Sequence, residues 1–207
     1  MKGEDNITYC PTSFPNPINY GLAWNKTLAF EMGAIVAAEA RALWLAGAEE
    51  ENGSRGPVRL SIGLDCWSPN INGINDPRWG RNQETASEDI LLTGDFGVQY
   101  TIGLQTGPDP AFLQTVVTLK LWAAYNLEDA DNFTRHSFNA IVSNFSLADF
   151  YFPPFASSVM VGNAAGVMCS YNAINGVPTC ASSFLNNTLR GAWGFDGYVT
   201  RCAPPHL

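Results

Sequence analysis

Short β-branched or apolar segments alternate with helical segments along this chain, and this alternation constrains the fold more than any other feature. Four segments are predicted to be strands, at residues 59–64, 115–120, 164–170 and 197–200. Three are predicted to be helices, at residues 26–46, about 86–104 and 182–192. Such alternation favours a parallel α/β sheet with right-handed crossovers. Four strands are half of the eight that a (β/α)8 barrel needs.

Residues with capping chemistry flank two of the predicted helices. Asn25 is predicted to cap the N-terminus of the first helix, and Gly47 its C-terminus. The tetrapeptide Thr85-Ala-Ser-Glu88 has the pattern of a capping box ahead of the apolar run that starts at Ile90. The second helix is therefore predicted to begin just after Thr85.

The segment from Cys66 to Asp89 is denser in charged, amide and aromatic side chains than the rest of the chain. Its prolines and glycines interrupt any helix or strand, so an ordered loop is predicted there. Trp67 and Trp79 place flat apolar rings beside arginine donors, a mixture that is typical of sugar-binding sites. The alternative interpretation is a salt-bridged surface loop.

Three of the predicted strands lead into polar or aromatic side chains. In a (β/α) barrel, functional residues lie on the loops that follow the C-terminal ends of the strands. The first strand leads into the loop that holds Arg81, the second ends at Lys120 and the third ends at Tyr171. A lysine in such a place is often only a surface charge, and a tyrosine is often part of the core. Both plainer interpretations stay open on the residues alone.

The motifs WSPNIN, DPRWGR and QE-T-x-x-ED, in this order, resemble the N-terminal barrel domain of glycoside hydrolase family 3, in its β-xylosidase-like branch. The resemblance spans about residues 10–200. It implies an α/β fold that is an incomplete (β/α)8, or TIM-type, barrel, with residues 1–207 as a single domain. Residues 201–207, RCAPPHL, do not match and form an aberrant tail.

The resemblance also implies roles for individual residues. Arg81 matches the arginine that reaches the sugar where cleavage occurs, whereas Arg78 is expected to be structural. Lys120 matches a lysine that hydrogen-bonds substrate hydroxyls, and Tyr171 matches a tyrosine that lines the same subsite. The family has a histidine after that lysine, and here the residue is Leu121, which cannot hydrogen-bond.

The implied reaction is the hydrolysis of O-glycosidic bonds by a retaining exo-β-glycosidase, of the xylan 1,4-β-xylosidase type, on β-linked xylo- or gluco-oligosaccharides. That reaction needs two carboxyl groups about 5 Å apart. The family nucleophile is an aspartate just after the strand that here ends at Thr200, and Arg201 or Cys202 stands there instead. The family acid/base comes from a second domain.

No catalytic residue is therefore assigned, and the chain as written is expected to be an inactive fragment, without the chain start, the nucleophile segment and the second domain. Two alternatives stay open. One is a non-catalytic sugar-binding remnant that keeps Arg81, Lys120 and Tyr171. The other is a truncated gene product without a folded function.

The net charge of −8 at pH 7 argues against nucleic acids and anionic membranes as partners. No apolar run reaches transmembrane length, and the first ten residues lack the apolar stretch of a signal peptide. Six N-x-S/T sequons nevertheless indicate a secreted, glycosylated protein. Their asparagines are Asn6, Asn25, Asn52, Asn132, Asn144 and Asn186.

The cysteines and histidines predict a disulfide and no metal site. None of the five cysteines forms a C-x-x-C pair, and no H-E-x-x-H pattern occurs, so neither a metal nor a cofactor is expected. Cys169 and Cys180 are predicted to form a disulfide that closes the loop presenting Tyr171. His136, which is predicted to lie among helix residues, and His206 are weak candidates, because neither lies near a nucleophile pattern.

Overall fold

The computed structural model of this chain describes residues 11–51 and 63–201, with side chains described for 11–46 and 63–201. The helices in this part of the chain are α1 (Pro17–Gly21), α2 (Lys26–Glu51), α3 (Ile90–Gln105), α4 (Asn144–Ser146) and α5 (Pro153–Met160). Its strands are β1 (Asp65–Cys66), β2 (Val116–Trp122), β3 (Asp129–Ala130), β4 (Phe133–Thr134), β5 (Asn139–Ala140), β6 (Gly166–Cys169), β7 (Ala173–Ile174), β8 (Val177–Pro178) and β9 (Tyr198–Thr200). Two π-type helical segments are also present, Leu147–Tyr151 and Leu185–Ala192.

Four strands form one parallel sheet in the order β1-β2-β6-β9. The predicted α/β architecture and its parallel strand pairing are therefore confirmed. Residues 59–62 of the first predicted strand lie outside the described residues, and the strand that is described there starts at Asp65. The second predicted strand continues two residues further, to Trp122, because both added residues pack in the core. Every residue of β6 is buried, as expected for a central strand of a parallel sheet.

The helix boundaries correct two of the predicted caps. Helix α3 begins at Ile90 and its N-cap is Asp89, whose carboxylate accepts the backbone N–H of Leu92 at 2.9 Å. The predicted capping box is wrong, because Thr85 is extended and turns its hydroxyl to the carbonyl of Asn82 at 2.9 Å. An acidic side chain next to the first free N–H groups is the better cap and also suits the helix dipole.

Helix α2 has its predicted start but not its predicted end. The Asn25 side chain accepts the backbone N–H of Thr27 at 3.0 Å, which is the hydrogen bond of an N-cap. The prediction of Gly47 as a C-cap is wrong, because the helix continues through this residue to Glu51. A single glycine weakens a helix by only about 1 kcal/mol, so favourable neighbours can carry the helix past it.

Helices α2 and α3 pack closely because each has a glycine at the contact. A Cβ atom on Gly103 would lie 2.2 Å from the carbonyl oxygen of Phe30, and one on Gly33 would lie 2.6 Å from that of Tyr100. No side chain fits at such distances. The two backbones therefore touch directly, and this fixes the layer of helices behind the sheet.

The ring of Trp122 joins the end of β2 to three aromatic residues of the helical layer. It stacks on Phe152 with centroids 4.8 Å apart, and it meets Phe155 and Trp193 edge-on at 5.4 and 5.2 Å. Trp122 is fully buried. Aromatic pairs of this kind contribute about 0.5–1.5 kcal/mol each beyond the burial of their area. This cluster holds the C-terminal end of β2, where Lys120 lies, against the helices.

Candidate sugar-binding site

Arg81, Lys120 and Tyr171 converge at one end of the parallel sheet. Lys120 lies on β2, Arg81 precedes a short 3-10 turn (Asn82–Glu84), and Tyr171 follows β6. Glu84 joins the first two: its carboxylate accepts two hydrogen bonds from Arg81, at 2.8 and 2.6 Å, and lies 3.5 Å from the Lys120 ammonium. Tyr125 lies between Arg81 and Tyr171. The centre of its ring is 5.7 Å from the Arg81 guanidinium carbon and 5.5 Å from the centre of the Tyr171 ring.

The ordered loop predicted from Cys66 to Asp89 is held along β2 by backbone hydrogen bonds. The N–H of Ile71 donates to the carbonyl of Lys120 at 2.8 Å, and the N–H of Lys120 donates to the carbonyl of Pro69 at 2.9 Å. The side chain of Asn70 adds a hydrogen bond to Glu84 at 3.2 Å. The loop and the strand therefore present Glu84 and Lys120 to each other as one unit.

Glu84 is charged because its neighbours outweigh its burial. Burial alone raises the pKa of this carboxyl, but the hydrogen bond from Arg81 and the positive charges of Lys120 and Arg81 lower the pKa to about 2. Its side chain is still 42% exposed, which leaves part of the carboxylate accessible to a ligand.

A second carboxylate, Glu128, brings Tyr125 and Arg135 into the site, and the sequence predicts a site role for none of these three residues. It accepts hydrogen bonds from the Tyr125 hydroxyl at 2.6 Å and the Trp79 indole N–H at 3.1 Å. It also pairs with the guanidinium groups of Arg135 at 3.6 Å and Arg81 at 3.9 Å. The burial of Tyr125 and the charge of Glu128 together raise the pKa of the Tyr125 hydroxyl, so this tyrosine is a neutral donor.

Tyr171 is surrounded by other side chains of the site. The Arg135 guanidinium lies 4.5 Å from the centre of its ring, and the His136 ring meets it edge-on at 5.2 Å. His136 therefore lies beside the site, in a turn after β4, and the prediction that placed it among helix residues is wrong. The sequence between β4 and β5 holds no periodic pattern that signals this turn.

The two tryptophans of the loop differ in what they offer a ligand. Trp79 is only 3% exposed and packs edge-on against Tyr125, so its predicted role as a stacking surface is wrong. Trp67 is 38% exposed, and its indole N–H donates to Asp65 at 2.8 Å. Arg78 is highly exposed and pairs with Asp76 at 2.6 Å, a local contact within the loop that fits a structural role.

Leu121 forms part of an apolar base under the site. It is fully buried and packs with Trp79, Tyr125 and Met168, and Tyr171 lies against this cluster. The side chain that replaces the family histidine is therefore enclosed by other residues. The base of the site presents no hydrogen-bonding side chain at this position.

The loop that carries Tyr171 is closed by the predicted disulfide. Cys169 and Cys180 are bonded, with Cα atoms 5.3 Å apart. Inside the loop, the side-chain amide of Asn172 donates to the carbonyls of Ala123 and Ala124 at 3.4 and 3.3 Å. These contacts tie the segment after β6 to the segment after β2.

Several predicted features concern the surroundings of the site. No group of three or more potential metal ligands occurs among the described residues. No helix in the described part of the chain has the length and apolar character needed to cross a membrane. Four sequon asparagines are exposed, and Asn6 and Asn52 lie outside the described residues. The four are Asn25, Asn132, Asn144 and Asn186.

Comparison with known proteins identifies the family. Residues 58–201 match the family model described as the glycosyl hydrolase family 3 N terminal domain. The chain is 42% identical over 191 residues to beta-D-xylosidase 3 of Arabidopsis thaliana. The aligned region covers 91% of this chain and 23% of the relative. It is 45% identical over 186 residues to a probable exo-1,4-beta-xylosidase of Neosartorya fischeri. This alignment covers 89% of this chain and 22% of the relative.

Solved structures agree with the sequence comparison. A GH3 exo-beta-xylosidase in complex with a xylobiose aziridine probe superposes with a TM-score of 0.82 at 39% identity, over 93% of this chain and 24% of that one. A beta-glucosidase from Streptomyces venezuelae in complex with D-glucose gives a TM-score of 0.74 at 33% identity, over 92% and 21% of the two chains. The chain thus spans about a quarter of the length of the proteins that it matches. Its motifs, sheet and family match together show that this chain belongs to glycosyl hydrolase family 3, within the N-terminal domain of that family.

Proposed function

We propose that this chain supplies the sugar-binding part of a retaining exo-β-glycosidase of the β-xylosidase type, which acts on β-linked xylo- or gluco-oligosaccharides. The observation that carries the proposal is the convergence of Arg81, Lys120 and Tyr171 at the C-terminal ends of parallel strands. The relatives named as xylosidases and the neighbour that holds a xylobiose-based probe support the same substrate class. We propose further that the sheet is part of a (β/α)8 barrel, the architecture in which strand ends carry the active site.

The chemistry of the site suits a neutral, hydroxyl-rich ligand. Arg81 and Lys120 donate hydrogen bonds, while the partly exposed carboxylate of Glu84 accepts them. A sugar hydroxyl both donates and accepts, so it can bind between such groups. Charge-assisted hydrogen bonds of this kind are about twice as strong as neutral ones. The cationic side chains of the site are Arg81, Lys120 and Arg135, and its carboxylates are Glu84 and Glu128. Their formal charges leave only a small positive excess, so the site does not require an anionic ligand.

The two carboxylates of the described site are both engaged by other side chains, so neither is free to act as the nucleophile or the acid that retaining hydrolysis needs. The carboxylate of Glu84 is held by Arg81, Lys120 and Asn70, and that of Glu128 by Tyr125 and Trp79. Arg201 follows β9, where the family pattern has its nucleophile, and a cation there opposes the positive charge that develops in the transition state. We therefore assign sugar binding to these residues and hydrolysis to a protein that adds both carboxyl groups.

A non-catalytic sugar-binding protein is the second candidate function. Arg201 and the enclosed Leu121 favour it, since both remove groups that the family pattern uses. Release of nitrophenol from aryl β-xyloside and β-glucoside separates it from the enzyme. Turnover clearly above buffer by the 207-residue chain, abolished in Arg81→Ala, would show that these residues hydrolyse glycosides themselves.

Titration of the 207-residue chain with xylobiose, followed by calorimetry or NMR, tests the binding function. We expect Arg81→Ala and Lys120→Ala each to weaken binding by about tenfold or more, because each removes a charge-assisted hydrogen bond. Glu88→Gln is the matched control, because Glu88 is exposed on the same loop and forms no ion pair among the described residues. Wild-type protein that binds xylobiose no better than Arg81→Ala would contradict the proposal.

We also propose that the protein passes through the secretory pathway. The disulfide and the four exposed sequon asparagines support this, since disulfides persist in oxidising compartments. Expression in a eukaryotic secretory system, followed by enzymatic removal of N-glycans, tests it. A mass that does not change on this treatment would count against glycosylation.

A further inference from the structure

Glu128 contacts four other side chains of the described site. Its partners are Trp79, Tyr125, Arg81 and Arg135. We propose that Glu128 is a positioning residue, which sets the place of Arg135 and of the Tyr125 ring and thereby shapes the sugar site without binding the sugar itself. This inference rests on the sugar-binding function proposed above.

The two oxygens of the Glu128 carboxylate have different partners. Oε1 accepts the Tyr125 hydroxyl at 2.6 Å and the Trp79 indole N–H at 3.1 Å, both neutral donors on largely buried rings. Oε2 lies 3.6 Å from the Arg135 guanidinium. Because two rings of fixed position hold Oε1, the carboxylate cannot rotate freely. Oε2 is therefore directed at Arg135 by the packing on the other side of the carboxylate.

Arg135 is held by Glu128, by the Tyr125 hydroxyl and by the Tyr171 ring, and it is more exposed than Arg81. Its side chain is 40% exposed, whereas that of Arg81 is 16% exposed. A long, half-exposed side chain has much rotamer freedom to lose when it is held in one place. Glu128 on one side and the Tyr171 ring, at 4.5 Å, on the other restrict it. Glu128 therefore acts on Tyr171 as well, through the guanidinium between them.

The hairpin formed by β3 and β4 brings Arg135 back to Glu128. The two strands pair antiparallel between these residues, and the backbone N–H of Arg135 donates to the carbonyl of Glu128 at 2.7 Å. Backbone and side chain thus make the same connection. The Glu128–Arg135 pair therefore connects the base of the exposed hairpin to the site, next to the contacts of Arg135 and His136 with the Tyr171 ring.

The contacts of Glu128 differ from those of a catalytic carboxylate. An acid or nucleophile must turn one oxygen towards the substrate. Here Oε1 is bound by two donors and Oε2 faces a guanidinium, and the side chain is 26% exposed. Support of this kind, by a second set of residues around those that touch the ligand, is what keeps a binding site in its productive geometry.

The test is a double-mutant cycle measured with xylobiose on the 207-residue chain. Glu128→Leu is expected to weaken binding by about tenfold or more, and Glu128→Gln by about fivefold, because the amide keeps the hydrogen bonds from Tyr125 and Trp79 but loses the charge facing Arg135. In the Arg135→Ala background, Glu128→Gln should change binding by less than about twofold. A merely structural role predicts additive effects instead. Asp129→Asn is the matched control, because this neighbouring carboxylate is exposed and forms no ion pair among the described residues.

The outcomes separate this inference from the proposed function. Wild-type binding of Glu128→Gln and Glu128→Leu, or full additivity with Arg135→Ala, would overturn the positioning role. If the wild-type chain does not bind xylobiose, the proposed function fails, and NMR decides the positioning role by itself. A shifted Nε–H signal of Arg135 beside an unshifted indole N–H signal of Trp79 in Glu128→Gln then supports it, and an unshifted Arg135 signal overturns it.

Discussion

The site has two carboxylate centres, and they are built in different ways. Around Glu84, the partners are cationic or amide side chains from the loop 66–89 and from β2: Arg81, Lys120 and Asn70. Around Glu128, two of the partners are neutral aromatic side chains: Tyr125, three residues away in the sequence, and Trp79, 49 residues away. The first centre is therefore a salt-bridge network that remains partly open to solvent. In the second centre, the buried rings of Trp79 and Tyr125 orient the carboxylate of Glu128.

The sequence predicts part of each centre: Arg81 and Lys120 beside Glu84, and Tyr171 beside Arg135, are predicted site residues, whereas neither carboxylate is. Arg81 and Glu84 are three residues apart and lie on one turn, so their pairing is local. Trp79 and Glu128 are 49 residues apart and meet only through the packing of the folded chain. Short-range chemistry can be read from a motif, whereas a contact across the fold requires the fold itself.

Replacement of Glu84 should give the largest effect and would show how far the first centre depends on its single carboxylate. In Glu84→Ala, Arg81 and Lys120 lose their shared counter-charge and Asn70 loses an acceptor. We expect xylobiose affinity to fall by about a hundredfold, since two charge-assisted contacts are misplaced together. The free energy of unfolding should fall by only about 1–2 kcal/mol, because the side chain is 42% exposed and solvent screens the pairs.

Calorimetric titration and chemical denaturation measure these two quantities. Glu88→Ala, at an exposed position of the same loop, is the control and should leave both unchanged. A Glu84→Ala protein that binds xylobiose within about threefold of wild type would show that Arg81 and Lys120 do not need Glu84.

Acid should remove the same charge reversibly. The pKa of Glu84 is about 2 in the folded protein, below its ordinary value of 4.5. Since the folded pKa is depressed, the stabilisation is present above about pH 4.5 and is lost as the pH falls towards 2. We expect the free energy of unfolding to fall more steeply over this range in wild type than in Glu84→Gln. Equal slopes for the two proteins would contradict the assignment, because their other carboxyl groups are identical.

The fold was more predictable from the sequence than the site was. Strand–helix alternation predicts the parallel sheet, because each helix that connects two parallel strands covers a face of the sheet. The strands are then buried on both faces and are apolar along their length. The helix ends were less predictable: the capping-box pattern starts at Thr85, whereas the N-cap of α3 is Asp89, whose carboxylate accepts the N–H of Leu92. Among the site residues, Arg81, Lys120 and Tyr171 follow from strand ends and motifs. Their convergence through Tyr125 depends on side-chain packing that no local pattern encodes.

Loss of the disulfide should affect the second centre more than the first. Cys169 and Cys180 close the loop that carries Tyr171, and Tyr171 contacts Arg135, which pairs with Glu128. In the Cys169→Ala, Cys180→Ala double variant we expect stability to fall by about 2–3 kcal/mol, as for a loop of this length. We expect xylobiose affinity to fall by about fivefold, which is less than for Glu84→Ala.

The same cycle used for Glu128 distinguishes the two centres in this variant. The effect of Arg135→Ala on binding should shrink when the disulfide is absent, while the effect of Lys120→Ala should persist. Cys66→Ala is the control, because Cys66 is the unpaired cysteine of the described chain. Equal losses of both effects would mean that the disulfide supports the fold as a whole.

Leu121→His should give the smallest change in binding. It compares the contribution of apolar packing beneath the second centre with the contribution of an added hydrogen bond. Leu121 is fully buried against Trp79, Tyr125 and Met168, so an imidazole there must displace or repack these side chains. Burial of its polar nitrogens should cost about 1–3 kcal/mol of stability where they find no partner. A ring nitrogen that reaches the sugar would add one hydrogen bond, and we expect xylobiose affinity to rise by about threefold.

Leu121→Met is the control, because it keeps an apolar side chain of similar volume and should leave affinity unchanged. Weaker binding by Leu121→His than by Leu121→Met would show that the packing around Tyr125 matters more to the ligand than the added hydrogen bond. In that case the ring layer beneath Glu128, rather than the number of donors, sets the affinity of the site.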